Sequence, residues 1–331
     1  MHIAVDAMGG DHTPAVNIEG AIEALKCQED LSIILVGDEK VINPLVIPYY
    51  QGFGDRLSIR HASEVITMHD SPAQALRKKK DSSVNVMYGL HKTKQVAAVI
   101  SSGNTGAMIT GGLMTLRRLK GVRRPSLAGV LPTEQGISIL LDSGANVNCK
   151  PTHLVQFAEM GAIYCQRMLD KDTPRVGLLN IGEEPTKGNE LALETYELLS
   201  ELPLNFIGNV EGRDIFKGVA DVIVCDGFIG NIVLKFAEGT IGFLKSALRK
   251  HTSKSWLAKG GLLLLAPTLA AITKMMDYSE YGGAPLLGLN GVSVVCHGGS
   301  NAKALKNGIL VARRFVENQV NQLIQAKLTL K

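Results

Sequence analysis

Six short apolar runs in this chain each end abruptly in a loop rich in Gly, Asn, Asp or Ser. The runs are residues 2–5, 97–100, 137–141, 176–179, 221–224 and 292–295. Continuous Val, Ile and Leu runs of this length are typical of strands that are buried on both faces of a parallel sheet. Because ligands of such sheets bind beyond the carboxyl ends of the strands, we expect the six loops to form the functional site. Their backbone N–H groups and small polar side chains suit an anionic substrate.

The alternation of these strands with helical segments predicts an α/β fold with a doubly wound, mostly parallel sheet. Two strand candidates, residues 127–131 and 137–141, are separated by a short segment that begins with Pro132. This spacing favours a hairpin, so we expect a small antiparallel element in the sheet. The 331 residues are enough for one large α/β unit or for two lobes. No internal repeat or Ser/Pro-rich linker divides the chain, and we predict a single domain over residues 1–331.

The charge and the cysteine content exclude several classes of protein. Lys and Arg number 35 against 31 Asp and Glu, and the net charge of +4 is too small for a dedicated nucleic-acid binder. Five cysteines without a CxxC pair predict a reduced, cytosolic protein without disulfides or structural zinc. The eight histidines lack metal-binding spacing, so we predict no metal. The first residues have a strand pattern, which predicts no signal peptide, and no apolar run approaches the ~20 residues of a membrane-spanning helix.

Two of the loops have the composition of an anion cradle at the start of a helix. The first is SSGNTGA, residues 101–107, and the second is CHGGSNAK, residues 296–303. Backbone N–H groups and the helix dipole bind anions there, and hydroxyl and amide side chains add donors. We predict phosphate binding by Ser102, Gly103, Asn104, Thr105, Ser300 and Asn301. The alternative is a tight turn with an ordinary helix cap. The first loop is neither a Walker loop nor GxGxxG, which disfavours a nucleotide as its ligand.

Three further polar residues are candidates for catalysis. Lys303 lies in the first turn of the last helix, where a cation opposes the helix dipole, and a bound anion would offset that cost. Lys187 belongs to the loop NIGEEPTKGNE and is a candidate electrophile for a phosphate or thioester oxygen. Asn231 follows the strand that ends in CDGFIGN and suits the orientation of a ligand. The alternative for Lys303 is a solvated lysine, and the alternative for Lys187 is a position in a charged surface loop. Cys225 and Cys296 end apolar strands, and we expect both thiols to be buried and inert.

Together the loops resemble one family, the acyl-acyl carrier protein:phosphate acyltransferases (PlsX) of bacterial phospholipid synthesis. The stretches that carry the resemblance are AVDAMGGD, ISSGNTGA, LLDSGANVN, LLNIGEEPTKGNE, GNVEGRD, DVIVCDGFIGNIVLK, EYGGAPLLGLNGV and VCHGGSNAKALKNGI. They run from the first strand to the last long helix, and their joint presence in this order is far more specific than any one of them.

The resemblance implies a fold like those of phosphate acetyltransferase and the isocitrate/isopropylmalate dehydrogenases, usually in a homodimer. It implies transfer of a fatty acyl group from acyl carrier protein to inorganic phosphate, without a cofactor. The acyl phosphate would then pass to a membrane glycerol-3-phosphate acyltransferase. The alternatives are an acyltransferase that uses coenzyme A thioesters, an NAD-dependent 2-hydroxy acid dehydrogenase on the same fold, and a scaffold without turnover. The dehydrogenase would need clustered carboxylates and substrate-binding arginines, which the sequence does not offer.

The residue types agree with phosphate as the nucleophile. Phosphate is already a charged oxygen nucleophile at neutral pH, and the leaving thiol resembles a free cysteine, with a pKa of ~8.5. The protein then has to orient the reactants, remove water and stabilise the tetrahedral oxyanion. We predict direct attack of phosphate on the thioester. A route through an acyl-cysteine at Cys225 or Cys296 is the alternative.

Two further segments suggest contacts with partners. Arg117, Arg118, Arg123 and Arg124 are a candidate docking surface for the acidic acyl carrier protein, although such runs are often merely solvated. Residues 239–276 hold six Lys or Arg and no Asp or Glu, around an uncharged stretch at 260–273. We predict that a helical segment at about 239–281 contacts an anionic membrane surface or a second copy of the chain. The membrane contacts would be Trp256, Leu263 and Leu264. The protein would then be cytoplasmic and peripherally bound to the inner face of the cell membrane.

Overall fold

The computed structural model describes residues 1–252, 264–269, 272–273 and 277–329. Within these residues the strands are β1 (His2–Asp6), β2 (Ser32–Gly37), β3 (Leu57–His61), β4 (Ala98–Ser101), β5 (Ser126–Leu127), β6 (Gly129–Thr133), β7 (Gly136–Leu141), β8 (Val176–Asn180), β9 (Phe206–Glu211), β10 (Val222–Val224), β11 (Ala284–Leu287) and β12 (Val292–Val295). The helices are α1 (Ala15–Cys27), α2 (Glu39–Phe53), α3 (Pro72–Lys78), α4 (Ser83–Lys92), α5 (Thr105–Thr115), α6 (Pro151–Met168), α7 (Glu190–Ser200), α8 (Gly227–Thr252), α9 (Ala302–Glu317) and α10 (Val320–Thr329). Short 3-10 turns lie at Gly54–Arg56, Gly212–Lys217 and Tyr278–Glu280.

The strands form two sheets rather than the one that the sequence predicted. The first sheet has the order β3-β2-β1-β4-β12-β11-β5 and the second has the order β6-β7-β10-β8-β9. Neighbours are parallel except at β11, which is antiparallel to β12 and β5, and at β6, which is antiparallel to β7. The predicted α/β class with mostly parallel strands and a small antiparallel element is therefore confirmed.

The segment 127–131, predicted as one strand, is divided between the two sheets. Leu127 pairs with Leu286 in the first sheet, whereas Gly129 pairs with Leu140 in the second. The chain therefore crosses between the sheets at Ala128, a change that an apolar run cannot signal. The predicted hairpin with the following strand is correct and is formed by β6 and β7.

The core explains why the strands carry continuous apolar runs. Both faces of the first sheet are covered, and Ile3, Ile33 and Ile100 are buried against one layer of helices. On the other face, the Tyr88 hydroxyl donates to the Met108 carbonyl at 2.7 Å and lies 2.7 Å from Ser293 Oγ. This buried contact ties α4 and α5 to the middle of the sheet and holds the start of α5 in place.

The helix α8 differs from the others because much of its surface is exposed. Its outward residues include large apolar side chains: Phe228, Ile232, Phe236, Phe243, Leu244 and Leu248. Residues 227–248 are long and apolar enough to cross a membrane by length and composition, although one such helix is weak evidence. Lys235 and Glu238 interrupt the stretch.

Candidate active site

The loops after β1, β4 and β12 meet at the carboxyl edge of the first sheet, and Asp6 organises them. Its Oδ1 accepts N–H groups from Met8 at 3.0 Å and Gly9 at 3.1 Å. Its Oδ2 accepts the Ser101 hydroxyl at 2.7 Å, and Ser101 Oγ in turn accepts the Gly103 N–H at 2.9 Å. Burial raises the pKa of Asp6, and the hydrogen bonds from Ser101 and the loop N–H groups oppose that shift.

Two glycines allow the first two loops to touch. A Cβ on Gly9 would lie 2.5 Å from Asp6 Oδ2 and 2.9 Å from Gly103 Cα, so no larger residue fits there. The Ser102 hydroxyl donates to the Gly9 carbonyl at 2.7 Å. Asn17 Nδ2 donates to the same carbonyl at 2.8 Å. Ser102 and Gly103, both predicted to bind phosphate, thus lie together at the strand ends and hold the loops in shape.

The two asparagines predicted to bind phosphate cap helices. Asn104 Oδ1 accepts the Ala107 N–H at 3.0 Å, and Asn301 Oδ1 accepts the Ala304 N–H at 2.9 Å. These are the ordinary N-cap contacts that we kept as the alternative, and they stabilise the starts of α5 and α9. Beside Asn301, the buried Oγ of Ser300 has no hydrogen-bond partner within the described part of the chain. A buried hydroxyl without a partner can donate a hydrogen bond to a bound anion or to an ordered water.

Lys303 has carboxylate partners within the protein. Its ammonium lies 2.7 Å from Glu280 Oε1 and 3.4 Å from Asp277 Oδ2. These contacts raise the pKa of Lys303, the Glu280 hydrogen bond most of all. They also explain how α9 tolerates a cation in its first turn without a bound anion. The role of Lys303 as a charge partner of phosphate therefore stays a prediction.

In the second sheet the loop after β7 is organised by the buried Asp142. Its Oδ1 accepts N–H groups from Leu127 at 2.9 Å and Ala145 at 3.1 Å, and its Oδ2 accepts that of Asn146 at 2.6 Å. Burial raises the pKa of this carboxyl, and the N–H donors oppose the shift. A Cβ on Gly230 would overlap the Asp142 carbonyl oxygen, so the first turn of α8 packs directly on this loop.

A cleft of about 330 Å³ lies where these elements face one another. Its lining comes from the start of α5, the loop after β7, one side of α8 and the segments beside β11 and β12: Thr105, Gly106, Ile109, Leu127, Gly129, Val130, Ser143, Gly144, Asn231, Leu234, Lys235, Glu238, Tyr281, Gly282, Gly283, Ala284, Val295, Cys296 and His297. Of the predicted phosphate and catalytic residues, Thr105 and Asn231 lie in this lining. Ser102, Gly103 and Asn104 lie just behind Thr105 in the chain.

The cleft has a polar end and an apolar wall. His297 Nε2 lies 3.9 Å from Glu238 Oε2, and Lys235 Nζ lies 2.8 Å from the same oxygen. His297 Nδ1 accepts the Gly299 N–H at 3.1 Å, which fixes the imidazole ring. The apolar wall is formed by Ile109, Leu127, Val130 and Leu234. A small anion and an acyl chain can therefore meet in one place, next to a helix N-terminus.

Lys187 lies outside the lining of this cleft. It belongs to the exposed loop after β8, where its carbonyl accepts Asn180 Nδ2 at 2.9 Å. Glu183 in the same loop pairs with Arg213 at 3.3 Å. The structure thus places Lys187 at the carboxyl edge of the second sheet but does not bring it to Thr105 and Asn231. Its catalytic role remains a prediction.

The four arginines predicted to dock a carrier protein are divided by the structure. Arg123 lies beside the start of α6, where its backbone N–H donates to Gln156 at 2.8 Å and its guanidinium to Thr152 at 3.3 Å. Arg118 donates to the Arg123 carbonyl. The positive charge of Arg124 favours a lower pKa for both Cys149 and His153. Arg124 therefore lies close to these two residues, near the loop between β7 and α6. Arg117 lines a separate cavity at the other edge of the first sheet.

The two thiols at the strand ends are buried, as the sequence predicted. Cys225 and Cys296 have almost no exposed surface. Burial raises the pKa of Cys225 far above its ordinary value and that of Cys296 to about 12. A thiol with so high a pKa is a poor nucleophile at neutral pH. Among the described residues there is also no group of three His, Cys, Asp or Glu that could hold a metal ion.

The comparisons with known proteins agree on a family. A family model described as fatty acid synthesis protein matches residues 1–323. The phosphate acyltransferase of Heliobacterium modesticaldum is 53% identical over 325 residues, which cover 98% of this chain and 97% of that protein. The chain belongs to the phosphate acyltransferase family. A second member, from Syntrophotalea carbinolica, is 49% identical over 326 residues, which cover 98% of this chain and 93% of that protein.

Solved structures share the fold of this phosphate acyltransferase family member at low sequence identity. The phosphotransacetylase EutD of Staphylococcus aureus has a TM-score of 0.57 and 14% identity, over 95% of this chain and 94% of the other. A branched-chain phosphotransacylase of Enterococcus faecalis also has a TM-score of 0.57 and 14% identity, over 96% of this chain and 99% of the other. The predicted likeness to the phosphate acetyltransferase fold is thereby confirmed.

Several residues that shape this acyltransferase site were not singled out from the sequence. Asp142 begins the motif DSGANVN, and its position directly after an apolar strand was the available signal. Asp6 directly follows the apolar run at residues 2–5, and its contacts with the Met8 and Gly9 N–H groups are those of a turn. Glu238 and His297 are far apart in the chain, and neither lies in a pattern that predicts their proximity.

Proposed function

We propose that this protein transfers a fatty acyl group from acyl-acyl carrier protein to inorganic phosphate, giving acyl phosphate for phospholipid synthesis. Membership of the phosphate acyltransferase family supports acyl transfer to phosphate. The observation that carries the proposal is the cleft in which the start of α5, Gly144 and Asn231 face an apolar wall. The reaction needs no cofactor, because phosphate supplies the nucleophile and the thioester supplies the leaving group.

In the proposed reaction, phosphate lies at the N-terminus of α5, beside Thr105. The Asn104 side chain already binds the N–H of Ala107, so the N–H groups of Thr105 and Gly106 are the ones placed to bind the anion. A phosphate oxygen forms a bond to the thioester carbonyl carbon, and the carbon–sulfur bond then breaks. The thiolate leaves with the pantetheine arm of the carrier protein and takes up a proton from solvent.

Asn231 is the proposed donor to the thioester oxygen. It lies at the start of α8, and a Cβ built on Gly144 would lie 3.5 Å from its Oδ1, so the amide is close to Gly144 in the cleft lining. An amide N–H donor there stabilises the tetrahedral oxyanion. The buried, high-pKa thiols of Cys225 and Cys296 support direct attack of phosphate over an acyl-cysteine intermediate.

The proposed docking surface for the acidic carrier protein consists of Arg118, Arg123 and Arg124. These side chains lie beside the start of α6, on the same edge of the second sheet as the Asp142 loop. Opposite charge mainly raises the association rate and makes it depend on salt. Charge reversal at Arg118 and Arg123 should raise the KM for acyl-carrier protein at low salt, and an unchanged KM would remove this surface from the proposal.

The proposed contact with an anionic membrane surface, or with a second copy of the chain, involves α8 and the segment after it. Phe236 is 73% exposed and Phe243 is 70% exposed, although both are large and apolar. Leu264 is 85% exposed, whereas Trp256 and Leu263 lie outside the described residues. Apolar surface of this kind on a basic segment suits peripheral binding to the inner face of the cell membrane or a homodimer. Such contact would place the product near a membrane glycerol-3-phosphate acyltransferase.

The experiment that tests the function traps acyl phosphate as a hydroxamate. The purified protein is incubated with palmitoyl-acyl carrier protein and phosphate, with palmitoyl-coenzyme A in a parallel reaction. We expect phosphate-dependent hydroxamate from the carrier protein thioester and much less from coenzyme A. Reduction of NAD with 2-hydroxy acids is monitored alongside. No hydroxamate from either thioester would contradict the proposal. A higher yield from palmitoyl-coenzyme A would show that the acyl donor is a coenzyme A thioester and not acyl-acyl carrier protein.

A further inference from the structure

A second, larger cavity of about 970 Å³ lies at the opposite edge of the first sheet from the cleft. It is lined by residues at or next to the amino ends of three strands, namely His2, Ala97 and Val292. The cleft lies at the carboxyl ends of the same sheet. The two sites are therefore separated by the length of the strands, and acyl transfer makes no use of the second one.

The charged residues of this cavity all have one sign. Lys92, Lys94 and Arg117 line it, and no Asp or Glu is among the described residues that do. None of the three cations forms an ion pair within the described ranges of the chain. His91 adds no charge, because its Nε2 accepts the Val292 N–H at 2.8 Å while its Nδ1–H donates to the Val96 carbonyl at 3.1 Å. Three unpaired cations around one concave surface attract a multiply charged anion.

Two of these cations are held at the rim by left-handed backbone. Lys94 has φ of 60° and Arg117 has φ of 66°, each directly after the last turn of its helix. Glycine is favoured at such positions because a side chain is sterically disfavoured there. Here Lys94 occupies that position after α4 and Arg117 occupies it after α5, and both residues border the same cavity.

Five side-chain amides contribute to the polar part of the lining. They are Gln95, Asn290, Asn321, Gln322 and Gln325. Asn321 Nδ2 donates to the Gly291 carbonyl at 3.1 Å, but its buried Oδ1 accepts no hydrogen bond within the described part of the chain. A bare phosphate offers mainly acceptors, and an alkyl tail offers no polar group. The buried acceptor calls for a ligand with N–H or O–H donors as well as negative charge.

We propose that this cavity binds a nucleoside phosphate, with Lys92, Lys94 and Arg117 on the phosphate groups and the amides on the sugar or base. Its volume lies within the range of small-molecule sites, and amides supply both the donors and the acceptors that a base and a ribose require. Binding at the end of α5 that is remote from the cleft gives the ligand a path to influence the start of the same helix.

The test is calorimetric titration of the purified full-length protein with ADP at low salt. We expect one saturable site. The Lys92→Ala/Lys94→Ala/Arg117→Ala variant should bind ADP at least about tenfold more weakly, since three exposed charge contacts of ordinary strength give that factor. Its matched control, Arg77→Ala/Lys78→Ala/Lys80→Ala, removes the same charges elsewhere on the surface and should bind like the wild type. Equal affinity of wild type and the cavity variant would overturn the proposal.

Parallel titrations with pyrophosphate and ribose 5-phosphate identify the part of the ligand that is recognised. ADP should bind more tightly than either, and Asn321→Ala should weaken ADP by about fivefold while pyrophosphate is unaffected, as expected for loss of one hydrogen bond. Melting temperature shows whether Asn321→Ala is folded, and the charge variants alone decide the test if it is not. Pyrophosphate binding as tight as that of ADP would contradict a nucleoside ligand.

Discussion

The Ser101 hydroxyl donates to Asp6 Oδ2 at 2.7 Å and joins the carboxyl ends of two neighbouring strands. Asp6 ends β1 and Ser101 ends β4, and the two strands are paired in parallel. Ser101 also accepts the Gly103 N–H, so the contact sets the path of the chain into α5. The position of the helix N-terminus in the cleft thus depends on a carboxylate about a hundred residues earlier in the sequence.

Asp6→Ala should unfold the loops at this edge and abolish activity. It leaves the N–H groups of Met8 and Gly9 and the Ser101 hydroxyl without their acceptor, at ~1–3 kcal/mol for each buried donor. We expect the free energy of unfolding to fall by at least about 3 kcal/mol in urea denaturation. Asp11→Ala is the matched control, because Asp11 is an exposed aspartate in the same loop. Equal stability of the two variants would show that Asp6 does not organise the loops.

Asn231→Ala should lower kcat by ~10²–10³, the usual effect of removing a donor to a transition-state oxyanion. The KM for phosphate should change little, because the amide is proposed to contact the thioester oxygen. Ile232→Ala serves as the control, since Ile232 is the next residue of α8 and is half exposed outside the cleft lining. Steady-state hydroxamate assays measure both constants. A kcat within a few-fold of the wild type would exclude Asn231 from the chemical step.

Lys303→Ala separates a chemical from a structural role of this lysine. If Lys303 leaves Glu280 and Asp277 to pair with phosphate during the reaction, turnover should fall by ~10²–10³. We expect that loss, with only a small change in Tm because the ion pairs are partly exposed to solvent. Glu280→Gln is the companion variant and should bind phosphate at least as well as the wild type. Normal turnover in Lys303→Ala would show that the lysine only holds the start of α9.

His91 should make stability depend on pH near neutrality. Burial lowers the pKa of His91 below its ordinary value of 6.5, and the neutral ring accepts the Val292 N–H at 2.8 Å. The unfolded chain therefore binds more protons than the folded chain just below pH 6.5, and the stability present above that pH is lost as the pH falls. Between pH 7.5 and about 5, Tm of the wild type should fall more than Tm of His91→Gln. Parallel Tm profiles would contradict this prediction.

Leu263→Glu/Leu264→Glu should weaken binding to anionic vesicles. Leu264 is 85% exposed, and each acidic substitution removes apolar contact and adds repulsion from the anionic surface. Flotation with phosphatidylglycerol vesicles at low salt measures the bound fraction, which should fall further at high salt. Leu198→Glu, at a half-exposed leucine of α7, is the control for added charge. Equal flotation of wild type and double variant would assign the segment to contact between copies of the chain.

The sequence alone determined the fold class and the edges at which the site is built. Apolar runs of Val, Ile and Leu predict buried parallel strands because only such residues tolerate burial on both faces. Polar loops after those runs mark the carboxyl edge, where Thr105 and Asn231 do line the cleft. Both signals are local in the chain. The burial of Cys225 and Cys296 could also be predicted from the sequence, because each follows an apolar strand directly.

Tertiary structure alone decided which loops meet and what each polar group contacts. The strands divide into two sheets at Ala128, and this division creates the cleft between them. Glu238 and His297 approach across that cleft, Lys303 finds Glu280, and Arg117 turns to a second cavity. A hydrogen bond or ion pair joins atoms within about 3 to 4 Å. That distance depends on the packing of whole helices and sheets, and the chemistry of one short motif does not fix it.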